Sequence, residues 1–153
     1  MSLFDYPDAS PVLTPLSEIT LLADLSKDDW ARLLNLVVTR PFSAGEDLIK
    51  VGEREDAFYI LVSGVVDVVV DSGGGEKILA SIAEGSVFGE IAFFDGSPRS
   101  ATIRARTPGS AIRVSRDSCE RLSVWEPRIA RQMLFDLGAI LAMRLRRTTE
   151  HAM

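Results

Sequence analysis

The stretch Gly85-Ser86-Val87-Phe88-Gly89-Glu90-Ile91-Ala92, followed after a short acidic, glycine-bearing turn by Pro98-Arg99-Ser100-Ala101-Thr102, decides how this chain is read. Gly89 lets the backbone approach a ligand with no side chain in the way. Glu90 to Phe93 can close a single helical turn whose unpaired N–H groups point at an anion. Arg99 supplies a fixed positive charge whose planar fork matches two phosphate oxygens at once. Ser100 adds a hydroxyl and a backbone N–H beside it. A carboxylate this close to a phosphate would repel it unless it faced another part of the same ligand, so Glu90 is expected to accept from a ribose hydroxyl. The pattern predicts a grip on the two ends of a cyclic sugar-phosphate.

Phe88-Gly89-Glu90-Ile91-Ala92 together with Arg99-Ser100-Ala101-Thr102, at this spacing, resembles the phosphate-binding cassette of the cyclic nucleotide-binding domain family. That family includes bacterial cyclic-AMP receptor proteins, regulatory subunits of cyclic-nucleotide-dependent kinases, and gated channels. The resemblance implies that Gly89 and Glu90 serve the ribose while Arg99 and Ser100 serve the cyclic phosphate. Phe88, Ile91, Ala92 and Ala101 complete the implied ligand-binding set. In the kinase branch of the family a threonine after the arginine goes with guanine and an alanine with adenine. Ser100 suits either purine and decides little; cyclic AMP is the expected ligand and cyclic GMP the alternative.

The resemblance extends to Phe42-x-x-Gly45-Glu46-x-Leu48-Ile49-x-x-Gly52 and Phe58-Tyr59-Ile60-Leu61-x-x-Gly64, and so from about residue 16 to about 147. By themselves these segments say only that hairpins turn at glycines. From Arg40 to Ser115 short β-branched runs alternate with glycine turns: 47–51, 58–62, 65–70, 77–82, 101–105 and 111–114. Such spacing predicts an antiparallel sandwich or barrel, which the resemblance narrows to a β-roll of jelly-roll type. The expected fold class is mainly β with flanking helices, a β-roll over about 40–115 between N-terminal helices and a long C-terminal one.

The flanks are helical. Residues 1–15, with Pro7, Pro11 and Pro15, are expected to form an irregular arm before a single domain over 16–153. Apolar residues recur at helical spacing from Leu16 to Val37, with Ser26 and then Asp28 and Asp29 as an N-cap and acidic first turn. A short helix is expected over 117–124, then a longer one that begins at Pro127 and runs to about Arg147. Ile129, Met133, Leu137, Ile140, Leu141 and Leu145 form its stripe, which Leu134 and Met143 widen. Periodicity cannot distinguish a helix that caps its own domain from a dimer seam. In the bacterial receptors the corresponding helix pairs two subunits, which implies a homodimer along 128–147 with its axis near Leu137 or Leu141.

Composition bounds the remaining classes. The chain has 153 residues, 46% of them hydrophobic and 25% charged, the balance of one soluble globular domain. A net charge of −5 and a pI near 4.9 argue against a general nucleic-acid surface. Arg144, Arg146 and Arg147 read as cations placed at a helix C-terminus. No apolar run reaches the roughly 18 residues of a membrane span, and the N-terminus lacks a basic secretory start, so a cytoplasmic location is expected. Cys119 is expected to be a structural thiol. With His151 it offers no metal-ligand spacing, and neither residue suggests a catalytic set or a cofactor.

Two departures from the receptors qualify the resemblance. A receptor would continue past the long helix into a helix-turn-helix domain, for which this chain leaves no room. Thr148-Thr149 resembles the pair with which the receptor helix contacts adenine, but lies about one turn, roughly 5.4 Å, farther from Pro127 than that pattern. The pair is therefore a lesser candidate, with a polar helix end as the alternative. The reading that follows is a non-catalytic sensor that gates an unknown effector protein through its C-terminal helix. The competing reading is a protein-interaction module that keeps the fold and binds no nucleotide.

Overall fold

The computed structural model describes residues 21–152; the arm expected over 1–15 and the start of the helical stretch at 16–20 lie outside the described residues. Helix α1, Lys27–Leu34, begins where its capping chemistry dictates. Ser26 accepts from the Asp29 backbone N–H, and the Asp29 carboxylate accepts from the Ser26 N–H.

Eight strands follow: β1 (Val38–Phe42), β2 (Asp47–Ile49), β3 (Ala57–Ser63), β4 (Val66–Asp71), β5 (Glu76–Ile82), β6 (Val87–Phe88), β7 (Thr102–Ala105) and β8 (Gly109–Ser115). They form two antiparallel four-stranded sheets, in the orders β1-β8-β3-β6 and β2-β7-β4-β5. The helix α2, Glu90–Asp95, bridges from β6 towards β7. Helices α3, Arg116–Trp125, and α4, Pro127–Ala152, complete the chain. This is the expected β-roll with flanking helices. Pro127 is the first residue of α4, where its missing N–H costs nothing.

Burial on both faces of the first sheet explains its sequence. Along β3, Phe58 and Ile60 face the helices and pack with Leu33, Leu122, Ile129, Met133 and Leu137. Tyr59 and Leu61 face the other sheet and pack with Ile49, Val68, Ile82, Phe88 and Ile103. A strand covered on two sides loses the apolar–polar alternation of a half-exposed one, so Ala57 to Leu61 are all buried. Removing side chains such as Phe58, Ile60 and Leu61 from water contributes about 1.5–3 kcal/mol each.

Strands β1 and β6 lie outside the runs that the alternation predicts. β1 contains Pro41 and is mostly exposed, which an edge strand tolerates because nothing needs its missing N–H. β6 has two residues, too few for a periodic signal.

The stripe of α4 divides between two environments. Ile129, Met133, Leu137 and Ile140 are sealed in the core against the first sheet. Leu134, Phe135 and Leu145 are exposed. Leu137 is therefore corrected from dimer-axis candidate to core residue of its own domain, whereas Leu141 keeps part of its surface open.

Candidate functional site

At the end of the inter-sheet space, where α2 crosses from β6 to β7, the fold leaves a cavity of about 330 Å³. Ile49, Val68, Ile82 and Ile103, drawn from β2, β4, β5 and β7, supply aliphatic wall. Arg99, Ser97 and Ser100 put charged and hydroxyl groups into the same lining, with Phe88, Gly89, Ile91, Ala92 and Ala101 alongside. The volume is at the small end of ligand sites, about 300–1,000 Å³. One flat apolar group beside one compact anion suits it.

Arg99 is the organising side chain. Its Nη1 donates to the Gly89 carbonyl at 2.7 Å, and its Nη2 donates to the Ala57 carbonyl at 2.7 Å and to Glu55 Oε1 at 2.8 Å. Three acceptors thus hold the guanidinium in one plane. Its Nε is buried with no acceptor in the protein. An unsatisfied buried donor of a charged group costs about 1–3 kcal/mol or more, a cost that an acceptor from outside the protein would relieve. Backbone bonds fix the arginine as well, since Arg99 N–H donates to Glu53 and its carbonyl accepts from Gly52.

Gly89 has a role beyond leaving room for a ligand. Its φ of +79° lies in the left-handed region, and a Cβ there would sit 2.8 Å from Arg99 Nη1 and 3.1 Å from Ile49 Cδ1. Glycine is required by the turn and by the arginine that packs on it. As N-cap of α2 it also has no side chain with which to cap the helix, so the first-turn N–H groups are left to a ligand or solvent.

Behind Arg99 a polar network reaches the surface. Glu55 accepts from Arg99, from Arg113 Nε at 2.8 Å and from the Tyr59 hydroxyl at 2.9 Å. Burial raises the Glu55 carboxyl, but these hydrogen bonds outweigh it and the group ends below its ordinary value. Burial and the neighbouring carboxylate push Tyr59 up to about 12. Tyr59 in turn stacks on Phe88, with ring centroids 5.1 Å apart and planes within 5°.

Glu90 is placed differently from the rest of the expected set. It is fully buried and does not line the cavity; its Oε1 accepts from Arg144 Nη1 at 2.8 Å. Arg144 Nη2 also donates to the Val87 carbonyl at 2.8 Å. The reading of Arg144 as a cation at the helix end is therefore corrected: it points inward and bonds α4 to the cassette, because a buried carboxylate needs a charged partner. Sequence spacing could not find a pair 54 residues apart. Thr148 and Thr149 are outside the cavity lining, and their hydroxyls donate to the carbonyls of Arg144 and Leu145 one turn back. Of the expected residues, Phe88, Gly89, Ile91, Ala92, Arg99, Ser100 and Ala101 are brought together. Ile49, Val68, Ile82, Ser97, Pro98 and Ile103 join them unforeseen.

The sequence profile of the cyclic nucleotide-binding domain matches residues 39–123, which contain the whole β-roll from β2 to β8 and the cavity. The chain belongs to the cyclic nucleotide-binding domain family. It is 37% identical over 107 residues to a cAMP-dependent protein kinase regulatory subunit of Emericella nidulans, a match covering 70% of this chain and 26% of that protein. It is 36% identical over 130 residues to Glutaminase 2 of Bradyrhizobium diazoefficiens, covering 85% of this chain and 20% of that one. The chain thus spans about a quarter or less of the length of these curated relatives. Among solved structures it resembles the Thermus thermophilus Catabolite Activator Protein, with a TM-score of 0.75, 26% identity, and coverage of 88% of this chain and 62% of that one. Among the described residues no helix is long and apolar enough to cross a membrane.

Proposed function

We propose that this domain is a non-catalytic sensor that binds a cyclic purine nucleotide, cyclic AMP first and cyclic GMP as the alternative, and passes occupancy to a partner protein through α4. The observation that carries the reading is the buried Arg99, held in the cavity lining by Gly89, Ala57 and Glu55 with its Nε lacking a protein acceptor. A cyclic phosphate supplies the oxygens that this donor and the uncapped first turn of α2 require. The faces of the purine then lie along the aliphatic wall of Ile49, Val68, Ile82 and Ile103. Glu90 is assigned the ribose hydroxyl, and because it lies behind the lining and is bonded to Arg144, that contact has to shift for the hydroxyl to reach it. Since Glu90 is bonded to Arg144, anything that reaches Glu90 is felt by α4, and this is the link from ligand to output.

The open Leu134, Phe135, Leu141 and Leu145 surface of α4 supports pairing with a second copy, with the axis near Leu141. Leu141→Glu sets two like charges across that axis, and light scattering is expected to report dimer for the wild type and monomer for the variant. The enclosure of Glu90 behind Arg144, away from the cavity wall, favours the second reading, an interaction module without nucleotide.

A melting titration separates the two. Ligand at about 100 times its dissociation constant adds roughly 2.7 kcal/mol of stability, a visible rise in Tm. If neither cyclic AMP nor cyclic GMP at millimolar concentration moves the midpoint, the sensor reading fails. A 2′-deoxy analogue tests Glu90 directly: wild type is expected to bind it more weakly than the parent nucleotide, and Glu90→Ala to bind both alike.

A further inference from the structure

A second concavity lies in the angle between α3 and α4. It encloses about 470 Å³ and is lined by Ser123, Pro127, Ala130, Arg131, Leu134 and Phe135. Val124 and Trp125 follow Ser123 in the chain. With Phe135 they are the most exposed large apolar side chains among the described residues, at 73%, 70% and 72%. Soluble domains seldom leave so much apolar surface together in water. The one charged side chain in the lining is Arg131, which makes no ion pair or side-chain hydrogen bond among the described residues. The cleft therefore suits an apolar occupant that carries a carboxylate.

The chain contains such a segment. Residues 1–20, which precede the described ones, include Asp5, Asp8 and Glu18 and no lysine, arginine or histidine. Within them, Leu3-Phe4-Asp5-Tyr6 sets one acid among three large apolar side chains, and Leu16-Ser17-Glu18-Ile19 has similar chemistry. Reach separates the two. Leu21 and Leu22 are buried in the helix–sheet core, and the Leu22 N–H donates to Asp136 of α4 at 2.8 Å. Leu134 lies about 200° round the helix from Asp136 at 3.6 residues per turn, so the cleft is on the opposite flank of α4 from that tie. Passing half round a helix about 10–12 Å across takes about five or six extended residues at 3.3–3.6 Å each. Ile19 is too close to Leu21 for that path, whereas residues 7–20 connect Tyr6 to Leu21 with length to spare.

We propose that Leu3-Phe4-Asp5-Tyr6 docks in the cleft between α3 and α4 of its own chain, with its apolar side chains against Leu134 and Phe135 and Asp5 against Arg131. Leu141 and Leu145, farther along α4, stay open to a second copy. The docked segment is a cover, and a partner protein reaches this corner only by displacing it. Docking does not depend on whether the cavity holds a nucleotide.

A spin label on the full chain tests this. Ser2→Cys in a Cys119→Ala background, which removes the chain's one other cysteine, carries a nitroxide on the segment, and broadening of amide resonances locates it. Broadening is expected over residues 123–135 and not along β5. Arg131→Glu is expected to reduce it roughly fivefold, and adding Asp5→Arg to restore it. In the unlabelled chain, Phe4→Ser is expected to make the fluorescence of Trp125 more accessible to a neutral quencher. No broadening over 123–135, broadening that Arg131→Glu leaves unaltered, or quenching that Phe4→Ser leaves unaltered would each overturn the docking. Mixing spin-labelled chains with isotope-labelled chains that carry no nitroxide distinguishes the occupants. Broadening over 123–135 in that mixture would overturn docking within one chain and give the cleft to a second copy.

Discussion

Arg99 and Arg144 are the same residue type at nearly the same burial, 5% and 6% exposed, and the fold uses them in opposite ways. Arg99 comes from the loop after α2 and is held by two backbone carbonyls and the half-buried Glu55. Its charge is positioned by the β-roll and only partly neutralised, so it retains a donor, Nε, for something else. Arg144 comes from a distant helix and meets Glu90, a carboxylate with no exposure at all. Arg99 meets a carboxylate that reaches the surface together with two backbone carbonyls, whereas Arg144 joins two elements of structure through a carboxylate sealed in the interior. The difference is one of partner rather than burial.

Breaking the second arrangement is expected to have the largest effect. Arg144→Met leaves Glu90 as an uncompensated buried charge and should destabilise the domain by about 3–5 kcal/mol in denaturant unfolding. Adding Glu90→Gln removes that charge and should restore most of the loss. If the double variant is as unstable as the single one, Arg144 acts through packing, and the contrast with Arg99 disappears.

Arg99→Ala should cost about 2–5 kcal/mol of affinity for cyclic AMP, read by calorimetry, because the phosphate then has no desolvated charge to meet. Arg144→Met is expected to affect binding less than it affects stability. An Arg99 variant that binds normally would assign that side chain a purely structural role.

The smallest effect concerns the support behind Arg99. Glu55 titrates below its ordinary value of 4.5 in the folded protein. Its contribution to stability is therefore present in full above that value and is lost as pH falls through the lower folded value. Unfolding midpoints measured from about pH 5 downward should decline, and Glu55→Gln should flatten part of that decline. An unchanged acid limb in the variant would place the acid-sensitive carboxylate elsewhere, and the link from Glu55 to Arg99 would carry no energetic weight.

Features that depend on neighbours in the chain were legible without the structure. The Ser26 cap, the glycine turn before Glu90, the Gly89-to-Arg99 spacing and Pro127 at a helix start each express a preference settled within a few residues. Repeated short β-branched runs between glycines indicated an antiparallel sandwich or barrel, and the resemblance of the cassette narrowed that to the β-roll. The Gly89-to-Ala101 part of the cavity lining was readable for the same reason, as those residues are close in sequence.

Tertiary structure decided everything that required distant residues to meet. Ile49, Val68, Ile82 and Ile103 are ordinary strand residues until two sheets face each other and leave a cavity between them. Arg144 looked like a solvated helix end until α4 folded back over the cassette and met Glu90. Leu137 and Leu134 belong to the same stripe, and only the placement of the first sheet sends one into the core and leaves the other in water. Sequence records each residue's chemistry and its local preferences. Which of several compatible partners it meets depends on how the sheets and helices pack, because burial and electrostatic pairing act through space and not along the chain.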